Sequence, residues 1–197
     1  MAENEMMTAK ESAPKKAPLL QLANDIFDVL ELFVIVASIS LVVFTFLIRP
    51  TIVQGESMED TLLGGDILLV SDVGYKATPG DIIVAQNVSL SLYPEAIVKR
   101  VIATEGQIVD IDFTTWTLTV DGVVVDEPYR KVTPDYLRTS DWEYPMEIPE
   151  GYVFVMGDNR NHSADSRCSD IGLIPEQCVV GHALLRLFPF SRFTFFD

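Results

Sequence analysis

Hydrophobic residues are unevenly spread along this chain, and one early run is more apolar than anything after it. From Leu32 to Ile48 the sequence LFVIVASISLVVFTFLI contains seventeen residues without a charge. Extended back across Glu31 to Val29, the run spans about 30 Å as a helix, roughly one hydrocarbon thickness. The pattern predicts a transmembrane helix over 29–48. It is preceded by a tail, residues 1–28, whose polar start has no apolar period and is expected to be disordered.

A cleaved signal peptide and a buried core helix are the alternatives to a membrane anchor. A signal peptide has a shorter apolar region and a small-residue cleavage site, which Arg49-Pro50-Thr51 does not provide. A core helix normally shows a polar face, and this run offers only serine and threonine. Three lysines precede the span, at positions 10, 15 and 16. They favour a cytoplasmic N-terminus and an extracytoplasmic domain, although Arg49 opposes them.

Beyond the anchor the pattern changes to short runs of Val, Ile, Leu and Tyr, punctuated by Gly, Pro or Asp, which is typical of β-strands. The runs are Asp66–Val70, Asp81–Ala85, Ile97–Ala103, Gln107–Ile111 and Tyr152–Met156. Asp121-Gly122 between two β-prone arms predicts a hairpin. No sustained 3.6-residue period follows the anchor. We therefore predict a mainly β domain over 49–197, in which residues 112–150 form a variable hairpin and loop excursion.

Composition narrows the functional classes. The net charge of −15 argues against nucleic-acid binding, which needs clustered basic residues. With two cysteines and two histidines, none in a ligand cluster, we expect no metal and no cofactor. The spacing of Cys168 and Cys178 fits either a disulfide or two half-buried thiols. Neither His162 nor His182 accompanies a G-x-S-x-G elbow, so a catalytic histidine is not favoured.

Lysine is the other base that can activate a serine. At its ordinary pKa only about one lysine in two thousand is neutral at pH 7, but burial can lower that pKa by several units. Lys99 lies in IVKRVI, a run otherwise suited to a buried strand, with Ile97 and Val101 on its face and Arg100 on the other. An edge strand with both charged stems reaching water explains the run equally well.

Two further segments carry candidate chemistry. Ser57 follows Gly55 in a turn after a short strand, a place where a hydroxyl and a backbone N–H can be presented together. Any turn can hold a serine, so this signal alone is weak. Residues 157–167 (GDNRNHSADSR) alternate acids, amides and arginines after a strand. They fit either a solvated loop or a hydrogen-bonded network that braces a site.

Together these segments resemble the type I signal peptidases. That family carries S-M-x-P-T-L, G-D-[IF]-[IVL]-x-V, K-R-V-[IV]-G and G-D-N-R-x-x-S-x-D-S-R in this order. The chain has Ser57–Leu62 (SMEDTL), Gly65–Val70 (GDILLV), Lys99–Ala103 (KRVIA) and Gly157–Arg167. The resemblance runs from about residue 25 to the C-terminus and is closest to the compact forms of Gram-positive bacteria. It implies an antiparallel-sheet catalytic domain, shared with LexA-like proteins, on one N-terminal transmembrane helix.

The resemblance also implies roles for individual residues. Ser57 is the nucleophile and Lys99 the general base, with one oxyanion donor from the Ser57 backbone N–H. Gly55 replaces a serine that supplies the second donor in some relatives. Ser163 orients the Lys99 amine, Asp165 pairs with Arg167, and Asp158 pairs with Arg100. Apolar pockets for small substrate residues are expected at Val53, Met58, Leu62, Leu68 and Val98.

The expected function is removal of signal peptides from secretory preproteins after Ala-x-Ala sites, at the surface of membrane lipid. Asp60 departs from the family by replacing the usual proline, and Ala103 and Gln107 differ from the common Gly and Asp. Two alternatives remain: a degenerate relative that binds precursors or assists pilus assembly, and a LexA-like self-cleaving domain. The membrane span argues against the second, and the intact Ser57 and Lys99 argue against the first.

Overall fold

A computed structural model describes residues 18–86, 96–133 and 139–196. The predicted N-terminal tail lies largely outside these residues, as do positions 134–138 of the predicted excursion. The chain divides into two compact units, one up to Val43 and one from Phe44 onward, and each is described by itself.

The first unit is a single helix, α1, over Pro18–Val42, followed by a π-helical turn over Val43–Leu47. Within it, Leu20–Thr45 is long and apolar enough to cross a membrane, with none of its most apolar window buried by protein. Twenty-six residues of helix span about 39 Å. The helix starts earlier than the predicted span because Asp25, Asp28 and Glu31 are all tolerated on its exposed surface.

The second unit is built from short antiparallel strands. They are β1 (Arg49–Ile52), β2 (Ile67–Ser71), β3 (Ile82–Ala85), β4 (Ile97–Ala103), β5 (Ile108–Asp112), β6 (Thr117–Val120), β7 (Val123–Val124), β8 (Met146–Glu147), β9 (Tyr152–Met156), β10 (Ile174–Pro175), β11 (Val179–Phe188) and β12 (Thr194–Phe195). The larger sheet has the order β1-β2-β11-β3-β4-β9-β10, with β12 paired to β11. The smaller sheet has the order β7-β6-β5-β8.

All five predicted runs are strands, displaced by one residue at most, and the Asp121-Gly122 turn joins β6 to β7 as predicted. Strand β11 was not predicted from the sequence, although it pairs with β2, β3 and β12. Irregular register at Gly181, Leu185 and Phe188 breaks its alternation. A strand without a clean two-residue period escapes pattern-based prediction.

Three apolar clusters form the core of the β unit. The first lies around Leu68, Val70 and Val84, and the second around Val101, Val155 and Ile174. The third contains side chains from β4 and β9 together with Val109, Ile111 and Leu118 of the smaller sheet, so it fastens the two sheets together. Ordering of these strands fixes the three segments that carry the candidate chemistry: the β1–β2 loop, the middle of β4 and the loop after β9.

Candidate active site

Ser57 lies in the loop that joins β1 to β2, and two hydrogen bonds from Asn159 hold this loop. The backbone N–H of Asn159 donates to the Ser57 carbonyl at 3.0 Å, and the Asn159 side-chain amide donates to the Glu56 carbonyl at 3.1 Å. Gly55 turns the chain with φ +76°, a conformation that glycine adopts without cost. The loop therefore presents a half-buried serine hydroxyl from a fixed backbone.

Lys99 comes to that hydroxyl from the middle of β4. Its Nζ lies 2.7 Å from Ser57 Oγ, and it also donates to the Val98 carbonyl at 3.1 Å. The side chain is buried, with only 5% of the residue exposed. Among the ion pairs formed by the described residues, none includes Lys99. Of the two readings of this strand, the buried lysine is the one observed.

Burial changes the proton affinity of the Lys99 amine. It penalises the ammonium form and lowers the pKa of Lys99 from 10.5 to about 8, even though the carboxylates of Asp165 and Asp158 oppose the shift. Near pH 8 about half of the amine is then neutral and able to accept a proton. A neutral amine within hydrogen-bond reach of a serine hydroxyl is the arrangement that activates a nucleophile.

Asp165 and Arg167 form a buried pair behind the lysine, and both residues are 0% exposed. The Arg167 Nε and Nη2 donate to the two Asp165 oxygens, each at 2.8 Å. Asp165 also accepts the Gly157 N–H at 3.0 Å. Burial alone raises the pKa of Asp165, but the Arg167 guanidinium and the Gly157 N–H together hold it below its usual range. The pair stays ionised and rigid.

Asp158 links the β1–β2 loop, which carries Ser57, to strand β4. Its Oδ1 accepts from Arg100 Nε at 2.9 Å, and its Oδ2 accepts from Arg100 Nη2 at 2.7 Å and from Thr61 Oγ1 at 2.6 Å. The Arg100 guanidinium also lies 3.8 Å from the centre of the Tyr129 ring. Bidentate pairs of this kind fix orientation as well as charge. The distance between the serine loop and the lysine strand is thereby fixed through Asp158.

Gly157 packs where no side chain fits. A Cβ at this position would overlap the Ser57 carbonyl oxygen and the Oγ and Cβ of Ser163. The Ser163 hydroxyl is buried and lies close enough to the Asp165 carboxyl to lower the pKa of that group. The Lys99 amine donates to Ser57 Oγ and to the Val98 carbonyl, and an orienting role for Ser163 stays a prediction.

The five residues expected to line substrate pockets lie together in the first apolar cluster. They are Val53, Met58, Leu62, Leu68 and Val98. Each is 8% exposed or less, so they form a packed floor beside Ser57 rather than an open groove. The family resemblance suggested these residues as a group, and their pocket role stays a prediction, since their burial is that of core side chains.

Several supporting residues were missed in the sequence analysis. Asp66 accepts the Leu63 N–H at 3.0 Å and pairs with Arg186 at 3.2 Å, while Arg186 also donates to the Thr61 carbonyl at 2.8 Å. Asp66 lies in the quoted Gly65-Asp66 motif, so the signal was present but its structural role was not assigned. Arg186 lies in β11, which the pattern did not reveal.

The predicted excursion also contacts the site. Glu127 pairs with Arg160 in a buried ion pair, and Arg160 Nε donates to the Gly157 carbonyl at 3.0 Å. Farther along, Trp142 Nε1 donates to the Ser166 carbonyl at 2.9 Å. These contacts hold the loop after β9 from outside. Residues 112–150 therefore help to support the site.

The remaining polar candidates are two histidines and two cysteines. His162 is exposed, and His182 stacks on Tyr75 with ring centres 4.2 Å apart. Cys168 is buried and Cys178 half-buried, both as thiols. No group of three or more His, Cys, Asp or Glu residues is arranged to hold a metal ion within the described ranges. The chemistry that the geometry supports is transfer of an acyl group to Ser57.

Comparison with known proteins agrees with this class of chemistry. Residues 26–188 match the family model described as signal peptidase, peptidase S26. A probable signal peptidase I-1 from Synechocystis is 37% identical, over 82% of either chain. Signal peptidase I from Bacillus licheniformis is 33% identical over 94% of this chain and 97% of its own. Signal peptidase I T from Bacillus subtilis is 33% identical over 98% and 97%.

A crystal structure of a signal peptidase I from Enterococcus faecalis is 30% identical, with a TM-score of 0.44, and covers 55% of this chain and 97% of that one. The family assignment rests on the sequence matches. The chain belongs to the signal peptidase family, peptidase S26, and is a serine peptidase. Its apolar N-terminal helix and its relatives together indicate a membrane-anchored protein.

Proposed function

We propose that this membrane-anchored peptidase removes N-terminal signal peptides from secretory preproteins, cutting after small residues of an Ala-x-Ala type. Ser57 acts as the nucleophile and Lys99 as the general base. The observation that carries this proposal is the 2.7 Å contact between the buried Lys99 Nζ and Ser57 Oγ. The family match supports the substrate class, because the relatives bear the name signal peptidase.

In the proposed reaction, the Lys99 amine accepts and returns the proton at each step. Neutral Lys99 accepts the Ser57 proton as Oγ attacks the scissile carbonyl carbon, and the resulting ammonium returns a proton to the leaving amine. A water molecule then attacks the acyl-serine and gives a proton to Lys99, and the resulting ammonium returns that proton to Ser57 Oγ as the ester bond breaks and the carboxylic product leaves. Lys99 is neutral again after each half-reaction, and the Ser57–Lys99 dyad is restored after the second. Asp165 and Arg167 keep the charge near the amine constant throughout.

The negative oxygen of each tetrahedral intermediate needs hydrogen-bond donors. The Ser57 backbone N–H is our candidate for the first, because none of the described residues accepts a backbone hydrogen bond from it. At Gly55 a serine hydroxyl is absent, so the second donor is a backbone N–H or water. The substrate is expected to lie extended, pairing as an added strand near the site. Strand β1, which stands at one end of the larger sheet, ends five residues before Ser57.

For the arrangement in the membrane, we propose a cytoplasmic tail over 1–28, a span over 29–48 and an extracytoplasmic catalytic domain over 49–197. The lysines before the helix support this orientation through the positive-inside rule. Secretory preproteins and membrane lipid are the expected partners. We expect neither a metal nor a nucleic acid to take part.

One experiment tests the proposal. The full chain is expressed with a secreted precursor that carries an Ala-x-Ala site, and wild type is compared with Ser57→Ala, Lys99→Ala and His162→Ala. We expect cleavage to be lost in the first two variants and kept in the third. Cleavage that survives loss of Ser57 or Lys99 would exclude the dyad, and loss in His162→Ala alone would identify a different base.

The same experiment addresses the alternatives. A degenerate relative that only binds precursors would leave the wild-type sample uncleaved. A LexA-like domain would cut its own chain and leave an added precursor intact. The close Ser57–Lys99 contact argues against the first alternative, and the helix long and apolar enough to cross a membrane argues against the second.

A further inference from the structure

Two acidic residues follow the nucleophile closely, and one lysine binds both of them. Lys131 Nζ lies 3.2 Å from Glu59 Oε2 and 3.0 Å from Asp60 Oδ1. Adjacent carboxylates on one short loop repel each other when both are ionised. A single ammonium between them removes that repulsion and restrains both side chains. Neither Glu59, Asp60 nor Lys131 has a role in the chemistry described above.

The backbone of Lys131 is fixed independently of its side chain. Its N–H donates to the Asp158 carbonyl at 2.8 Å, and its carbonyl accepts the Arg160 N–H at 2.9 Å. These bonds form a parallel bridge between Lys131 and Asn159. Asn159 in turn donates to the Ser57 carbonyl. Lys131 therefore contacts the loop after β9 through its backbone and the nucleophile loop through its amine.

Exposed ion pairs usually contribute little, since two long side chains lose freedom and salt screens the charges. Here the lysine backbone is already held, and its side chain is 34% exposed beside Glu59 at 28%, so the Glu59 contact is the better shielded of the two and Asp60, at 81%, the more screened. The hydrogen bonds to Asp60 and Glu59 raise the pKa of Lys131. Its ammonium therefore persists through the pH range in which Lys99 becomes neutral. The pair is then intact whenever the dyad is active.

We infer that Lys131 is a positioning residue for the nucleophile: it holds the Glu59–Asp60 segment against the loop after β9 and so sets the place of Ser57 Oγ relative to Lys99 Nζ. This inference rests on the proposed function of the dyad.

The test uses the full chain in lipid vesicles with the Ala-x-Ala precursor. Lys131→Met keeps most of the side-chain volume and removes the charge. Lys76→Met is the matched control, because Lys76 pairs with Glu105 at 3.3 Å in an exposed position outside the site. We expect Lys131→Met to lower kcat about tenfold or more, because small displacements of reacting groups have large effects on rate. KM, the melting temperature and the Lys76→Met enzyme should change little.

Two readouts separate positioning from a general structural role. Lys131→Arg should restore most of the lost kcat, since arginine keeps the charge and can bind two carboxylates. Salt should lower the kcat of wild type but not that of Lys131→Met, because screening weakens the same ion pair. Removing the acids as well, in Lys131→Met with Glu59→Gln and Asp60→Asn, should recover part of the rate by abolishing their repulsion.

Full kcat in Lys131→Met overturns the inference. So does a loss of kcat that is matched by a fall in melting temperature and is not rescued by Lys131→Arg. Hydrogen exchange of the backbone over residues 53–66 is measured in parallel and does not depend on cleavage. If the wild type cuts no precursor, the proposed function fails. Hydrogen exchange alone then decides whether Lys131 holds the Glu59–Asp60 segment in place. Faster exchange in Lys131→Met supports it, and unchanged exchange refutes it.

Discussion

Lys99 and Arg100 are neighbours in β4 and carry the same type of charge in opposite environments. Arg100 is bound by Asp158 through two nitrogens, whereas the Lys99 amine contacts the Ser57 hydroxyl and the Val98 carbonyl. Strand alternation sends the two side chains to different faces. One cation is therefore neutralised by a partner, and the other is made reactive by its burial.

The first prediction concerns the pH dependence of cleavage. Because the neutral amine is the base, kcat/KM should rise with pH through an inflection near the pKa of Lys99, about 8. The initial rate of precursor cleavage between pH 6 and 10 measures it. Lys99→Arg should be inactive throughout this range, because a guanidinium stays charged. An inflection near 6.5, the ordinary pKa of histidine, would contradict a lysine base.

The second prediction concerns stability. The pKa of Lys99 is about 8 in the folded chain and 10.5 when unfolded, so between these values the unfolded state binds the extra proton. Stability of the wild type should therefore rise with pH across this window, by at most about 3–4 kcal/mol. Lys99→Met, which carries no charge, should lack this rise. Denaturant unfolding of both proteins at pH 7 and pH 10 measures the difference, which should shrink at the higher pH.

The third prediction concerns Gly157. Gly157→Ala should lower activity strongly, because the added methyl group overlaps the Ser57 carbonyl oxygen and Ser163. Displacement of the Ser57 backbone separates Oγ from the amine, and reaction rates are sensitive to such shifts. The control is Gly122→Ala in the β6–β7 turn, where φ is +76° but a Cβ meets nothing within 4 Å. That variant should lose a little stability and keep its kcat, and equal losses in both variants would refute the overlap argument.

The fourth prediction concerns Asp165. Its carboxylate opposes the effect of burial on Lys99, and Arg167 assists that effect. Asp165→Asn should therefore lower the pKa of Lys99 further and move the pH inflection of cleavage to lower pH. Leaving Arg167 buried without its partner should also destabilise the fold by about 3–5 kcal/mol. The profile is measured at a temperature where circular dichroism shows the variant folded. An inflection that moves to higher pH contradicts this electrostatic account.

Local pattern predicted much of the fold. Short runs rich in Val and Ile, such as β4 and β9, were placed to the residue. β11 was not, because bulges and Gly181 interrupt its period and its place in the sheet depends on non-local pairing. Strand order is likewise a property of distant contacts, which a single sequence does not display.

In the candidate site, too, the residues within local motifs were predicted, whereas those that act through distant contacts were not. The pairing of Asp165 with Arg167 and of Asp158 with Arg100 was expected from the family motifs and is observed. The role of Ser163 stays a prediction, because a hydroxyl in a sequence does not reveal which of several nearby groups it faces. Lys131 and Glu127 gave no signal, because each acts on a segment far away in sequence. Whether a residue lines a pocket or packs in the core also depends on tertiary contacts, as Met58 and Leu62 show.

The depressed proton affinity of Lys99 has a consequence for protein engineering. At neutral pH the folded chain carries an ammonium group in an environment that disfavours it, so the reactive group is also a local weakness of the fold. A library selected only for heat resistance at pH 7 should enrich apolar replacements at position 99 early. The same library selected at pH 10 should not, because the wild-type amine is then uncharged. Selection for a robust enzyme must therefore include turnover from the first round.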